Sequence, residues 1–238
     1  MCGRYSQTSD LASLDERFGL EASGLVLTPR YNQAPGQSGA VVVREGGRRH
    51  LRLMRWGLLP PWAADPAQGY RMINARAETL AAKPAFRGAY QARRCLVPAD
   101  GFYEWRGGAS RGAPKQPLRF TLAAGGPFAM AGLWERWPGP GQPGGMEELF
   151  SYTIITVPAN GLVSPIHERM PALLTPEAEA AWLNPDLADP AALAGLLRPY
   201  PPELMAAYPV SPALNRAGAE GPELIQPWTG PAGLFPRD

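Results

Sequence analysis

The chain has 238 residues, of which 45% are hydrophobic and 18% charged, the balance of a globular protein with enough length for a substantial core. A net charge of +2 does not by itself mark a nucleic-acid binder, and no apolar run reaches the ~18 residues expected of a membrane span. With two cysteines, two histidines and no CxxC, HExxH, GxGxxG or GxxxxGKS/T pattern, neither a dedicated zinc site nor a nucleotide cofactor is expected.

In chain order, Leu11, Leu14 and Phe18 share one face of a predicted helix over residues 10–18, and Gly19 follows as a stop. Ala-Val-Val-Val at 40–43 reads as a strand. Residues 46–56 read as its partner, reached through a Gly46-Gly47 turn. Residues 118–122 and 127–134 suggest a second hairpin across Ala-Ala-Gly-Gly, and the β-branched run 151–157 another strand. Thr175-Pro176 and Asp189-Pro190 each pair an N-cap residue with proline at the first helical position, which predicts helices just after them. The Gly/Pro-rich stretch 137–147 reads as a loop and the tail from Pro227 as irregular. There is no internal repeat and no linker. Strands arriving mostly as hairpins, with helices between and after them, predict an α+β fold built on largely antiparallel sheet.

Six segments carry polar and aromatic residues with no amphipathic period: residues 2–5, 30–37, 54–62, 73–79, 94–105 and 166–171. Such residues on loops of a rigid scaffold often carry function. Singly, each has a structural explanation. Asn74 can bond local backbone, Glu104 can be the solvent-facing member of a strand, and His167 can cap or pack. His50 and Cys95 read as structural, the latter as a small buried hydrophobe. Trp56 and Trp62 bracket Gly-Leu-Leu-Pro-Pro, where packing competes with base stacking. Lysine occurs only as Lys83 and Lys115, leaving 21 of the 23 basic residues as arginine. A GC-rich coding sequence and phosphate recognition by planar guanidinium forks both account for that bias.

Cys2 is the odd feature. Once Met1 is removed, it presents a free α-amine and a thiol on neighbouring carbons, a pair no internal residue can offer. Taken in order, MCGRY, YNQAPG, WGLLPPW, INARAET, CLVPADGFYEW, IHERMP and PVSPALNRAGAEGPELIQP resemble the SOS response-associated peptidase (SRAP) family over residues 2 to about 227. The resemblance implies one catalytic domain over 2–227, with a barrel-like, mostly antiparallel sheet core, short flanking helices and an irregular tail over 228–238. It further implies a protein that captures abasic sites in single-stranded DNA by a DNA–protein crosslink. It places Cys2, Asn74, Glu104 and His167 in catalytic positions. Arg4 and Arg76 fall near the DNA phosphates, and Arg87, Thr156, Trp62, Trp105 and Pro35 complete the implied DNA-binding set. No cofactor, no metal and no membrane partner are implied. A monomer is expected, in the cytoplasm and at the nucleoid when bound to DNA, in keeping with the absence of a signal-peptide pattern.

The chemistry suits these residues. An α-amine has a pKa of about 7.7–8.0 against about 10.4 for lysine, so more of it is neutral and nucleophilic near pH 7. It can form a Schiff base with the open-sugar aldehyde, and the adjacent thiol can then close a five-membered thiazolidine. Lysine would stop at the imine. The family's name adds possible self-removal of Met1, for which an ordinary aminopeptidase is the alternative. The rival reading is an N-terminal-nucleophile amidohydrolase or peptidase, since class II glutamine amidotransferases also begin Met-Cys-Gly and use Cys2 against amides.

Overall fold

The computed structural model describes residues 2–22, 24–107, 115–139 and 148–230. The tip of the expected 137–147 loop and the end of the tail lie outside these residues. In chain order, the elements begin with β1 (Tyr5–Gln7), α1 (Leu11–Phe18), β2 (Arg30–Gln33), β3 (Ser38–Glu45), β4 (Arg48–Trp56) and β5 (Asn74–Arg76). They continue with α2 (Pro84–Ala92), β6 (Arg94–Ala99), β7 (Gly101–Arg106), β8 (Gln116–Leu122), β9 (Phe128–Trp137) and β10 (Leu149–Pro158). Last come β11 (Arg169–Pro171), β12 (Leu173–Leu174), α3 (Pro176–Trp182), α4 (Pro190–Leu196) and β13 (Met205–Pro209). The class is α+β, as predicted, in a single domain.

Two sheets make the core. One runs β13-β8-β7-β1-β2, every neighbour antiparallel. In the other, the order β10-β4-β3-β6-β9 closes on itself because β9 also pairs with β10 from Leu149↔Trp137 to Ile154↔Gly132. Closure leaves this five-strand ring without a free edge. Among the described strands, the parallel pairing β10–β4 within the ring and that of β5 with β10 beside it are the exceptions to the antiparallel rule.

Local chemistry explains the elements that were foreseen. Ala40 to Val43 are all buried, which fits a strand with partners on both sides and packing on both faces. Gly46 and Gly47, with φ of 56° and 83°, form the two-residue turn that joins β3 to β4. Asp10 caps α1 by accepting from Ser13 N, and Thr175 and Asp189 cap α3 and α4 in the same way, each followed by proline.

Two expectations need correction. The strands around Ala-Ala-Gly-Gly do not form a hairpin: β8 pairs with β7 and β13, whereas β9 joins the ring. The turn instead carries the chain from one sheet to the other, with Ala123 N bonded to Leu204 O. Burial decides this, because Gln116 to Phe120 are covered from both sides by their own sheet. Trp137, placed in a loop by its Gly/Pro-rich neighbours, is the fully buried last residue of β9, and its Nε1 donates to Ala63 O at 2.8 Å.

Candidate active site at the seam of the two sheets

The aperiodic polar segments turn out to be short strands and the bends next to them. Cys2 lies three residues before Tyr5, the start of β1, which lies between β2 and β7. The β1–β7 register pairs Tyr5 with Phe102, and Tyr103 N donates to Arg4 O at 3.0 Å. Continuing that ladder puts Glu104 beside the Cys2 end of the chain. From the other sheet, β5 runs parallel to β10 with Ile154↔Asn74, and Asn74 Nδ2 donates to Cys2 O at 2.8 Å. Cys2 is therefore pinned between a strand of each sheet. Asn74 Oδ1 is buried and accepts no hydrogen bond among the described residues.

The cysteine is fully buried and its thiol free, with Sγ 3.8 Å from Arg4 O. Burial, reinforced by the Glu104 carboxyl, pushes the thiol far above its usual range. Glu104, 4% exposed, is itself raised by desolvation, with the charge of His167 working in the opposite direction. His167 lies in the connection from β10 to β11 with its backbone N–H bonded to Val163 O. Its Nδ1 is 3.0 Å from Arg169 N and 3.2 Å from Arg169 O. A neutral ring accepts the amide at Nδ1 and carries its proton on Nε2, and a charged ring can donate to the carbonyl. The backbone thus accommodates both protonation states.

Glu104 and His167 open onto a cavity of about 550 Å³ also lined by Arg4, Trp105, Lys115 and Asn215. A second hollow of about 550 Å³ on the outer face of β4, lined by Leu53, Met54, Trp134 and Phe150, has none of the four clustered groups in its lining. The chemistry points to the first. Arg4 commits Nη1 to Asn32 Oδ1 at 2.7 Å and Leu214 O at 3.2 Å, so the fold fixes this guanidinium at the pocket wall. Trp105 is held edge-on by Asn215, whose Oδ1 accepts its Nε1 at 2.6 Å.

The remaining predicted residues surround this centre at different distances. Arg76 is exposed at the end of β5, paired in register with buried Thr156. Trp62 stands 65% exposed beyond a loop anchored by wholly buried Trp56, Leu58 and Leu59. Gly57 holds that loop at φ 116°, packed so closely on Gly69 that an added Cβ would lie 2.6 Å from its carbonyl. Pro35 is half-buried in the turn leading to β3, and Arg87 lies on the exposed side of α2, which packs on β6 and β9. His50 is half-buried in β4 and Cys95 fully buried in β6, as read from the sequence.

Four contributors were not singled out from the sequence: Asn32, Lys115, Asn215 and the ion pair of Glu78 with Arg169. Asn32 is the clearest, accepting from Arg4 and donating to carbonyls of Leu214, Arg216 and Ala219. All except Lys115 lie inside quoted motifs, which was the available signal.

At the two-sheet seam, Cys2 thus lies beside a buried carboxyl, an amide and a histidine. The chain belongs to the SOS response associated peptidase (SRAP) family, whose model matches residues 1–217. It is 44% identical over 232 residues to the abasic site processing protein YoqW of Bacillus subtilis, covering 95% of this chain and 99% of that protein. It is 32% identical over 241 residues to the abasic site processing protein YedK of Escherichia coli, covering 95% of this chain and 100% of that protein. A crystal structure of a protein from Bacteroides thetaiotaomicron matches with a TM-score of 0.83 at 30% identity, covering 95% of this chain and 100% of that one.

Proposed function

We propose that this chain processes abasic sites, capturing them in single-stranded DNA as a thiazolidine on Cys2 after Met1 is removed. The observation that carries the reading is the pinning of Cys2 by Asn74 at the seam, next to Glu104 and His167. That its relatives YoqW and YedK are abasic site processing proteins supports the same substrate.

The raised thiol orders the steps. A thiol kept neutral by burial is a poor first nucleophile, so the α-amine attacks the aldehyde and water leaves as the imine forms. The thiol sulfur then bonds to the imine carbon while its proton passes to nitrogen, closing the ring with atoms balanced. Glu104, whose burial favours its protonated form, serves as acid and base for opening the sugar hemiacetal. His167 relays protons at the leaving ring oxygen. Asn74 holds the cysteine backbone, and its unpaired Oδ1 is available to accept from the liberated amine. Arg4 and Arg76 set the phosphates on either side of the lesion, and Trp62 and Pro35 hold the neighbouring bases apart.

The test is a denaturing gel with abasic single-stranded DNA. A heat-stable adduct formed by the mature chain and lost in Cys2→Ala is expected. Glutamine hydrolysis without any adduct would establish the amidohydrolase instead.

A further inference from the structure

Glu78 and Arg169 belong to two separate motifs, 91 residues apart, and meet in a forked ion pair. Arg169 Nη1 donates to Glu78 Oε1 at 2.6 Å and Nη2 to Oε2 at 2.9 Å, while Nη2 also donates to Thr156 O at 2.5 Å. Arg169 sits on β11 opposite Pro158 of β10, and β10 in turn pairs with β5 through Thr156↔Arg76. The guanidinium therefore reaches across β10 to the turn that follows β5. It ties the strand bearing Asn74 and Arg76 to the segment bearing His167.

We infer that Glu78 and Arg169 are a positioning pair that holds the His167 imidazole in one orientation and tautomer against the pocket. The backbone of Arg169 supplies both groups facing Nδ1, the amide at 3.0 Å and the carbonyl at 3.2 Å. Its side chain fixes where that backbone lies. β11 contributes only three residues of pairing, a short hold for a loop that must keep a ring in place. The Arg169 side chain is 11% exposed and Glu78 51%, so the fork is anchored at its buried end. The Arg169 hydrogen bond holds the Glu78 carboxyl below its ordinary range, so the pair stays charged throughout the range in which an imidazole titrates. A lysine at 169 has no planar fork with which to bridge a carboxylate and a carbonyl at once.

The inference rests on the role proposed for His167, and its test separates the two. With only two histidines, nitrogen-resolved NMR of the imidazoles assigns His167 once His50→Gln is compared. In the free wild-type chain the neutral ring should be the Nε2–H tautomer. Glu78→Gln and Arg169→Lys should mix the tautomers, and Glu78→Asp should restore much of the wild-type spectrum. With saturating abasic DNA, Glu78→Gln should crosslink about tenfold more slowly, the effect of a misplaced proton relay. An unchanged His167 spectrum in Glu78→Gln would overturn the inference. So would a wild-type crosslinking rate accompanied by tighter DNA binding, which would make Glu78 a charge that merely screens the phosphates. The imidazole readout needs no DNA, so it stands even where the wild type forms no adduct, a result that would sink the proposed function instead.

Discussion

Glu104 is 4% exposed, and desolvation holds its carboxyl above the ordinary carboxylate range. A carboxyl whose folded pKa exceeds its unfolded value binds more protons when folded, so stability declines as pH rises between the two values. Glutamine has the same shape and no charge to desolvate. Glu104→Gln should therefore slow crosslinking while raising the melting temperature at pH 7, with a smaller gain near pH 4, where the wild-type carboxyl is largely protonated. Equal adduct rates in the two proteins would remove Glu104 from the proton traffic. At this scale the sequence was most informative where a residue sits in a motif with its own chemistry, as do Cys2, Asn74, Glu104 and His167. It said least about partners. Nothing local in the sequence marks Asn32 as the acceptor that fixes Arg4, because the contact spans 28 residues and depends on β1 lying beside β2.

Among the elements, the junction of α2 with β6 depends on one buried charge. Arg94, 6% exposed, donates to carbonyls of Tyr90, Gln91, Trp182, Asn184 and Leu187. These acceptors join the end of α2 to the end of α3 and the turn beyond it. Arg94→Ala would strand several carbonyls away from water and should destabilise the chain by about 3 kcal/mol in denaturant unfolding. Arg94→Lys should recover little, since an ammonium cannot reach both sides of the planar fork. A loss below about 1 kcal/mol would show that water replaces the guanidinium there. The helices and the β3–β4 hairpin were legible because caps, prolines and a Gly-Gly turn act within a few residues. The β8–β9 hairpin was misread because two strands joined by a good turn still choose partners by what covers them. The strands β1, β2 and β5 were missed because three or four residues carry too little alternation to register.

Over the whole molecule, the proposed site lies where the two sheets meet, and the residues proposed to face DNA spread outward from that seam. An exposed Trp62 on a buried anchor predicts a clean separation of binding from stability. Trp62→Ala should leave the melting temperature unchanged and weaken non-covalent binding of abasic single-stranded DNA by about 1–3 kcal/mol. Arg76→Ala should weaken binding at every sequence and flatten the plot of log affinity against log salt by about 0.7, the contribution of one phosphate contact. The fold class was readable from the sequence and the barrel-like core from the family resemblance, but the β9–β10 pairing that closes the ring has no local signal, since it joins strands on either side of a stretch rich in glycine and proline. The central claim concerns the bond made at Cys2, and mass spectrometry of the adduct with and without borohydride tests it most directly. The adduct should weigh the mature chain plus the abasic DNA less one water, and borohydride should leave that mass unchanged, because a thiazolidine has no imine to reduce. An adduct that appears only after reduction, or that survives in Cys2→Ala, would contradict the account.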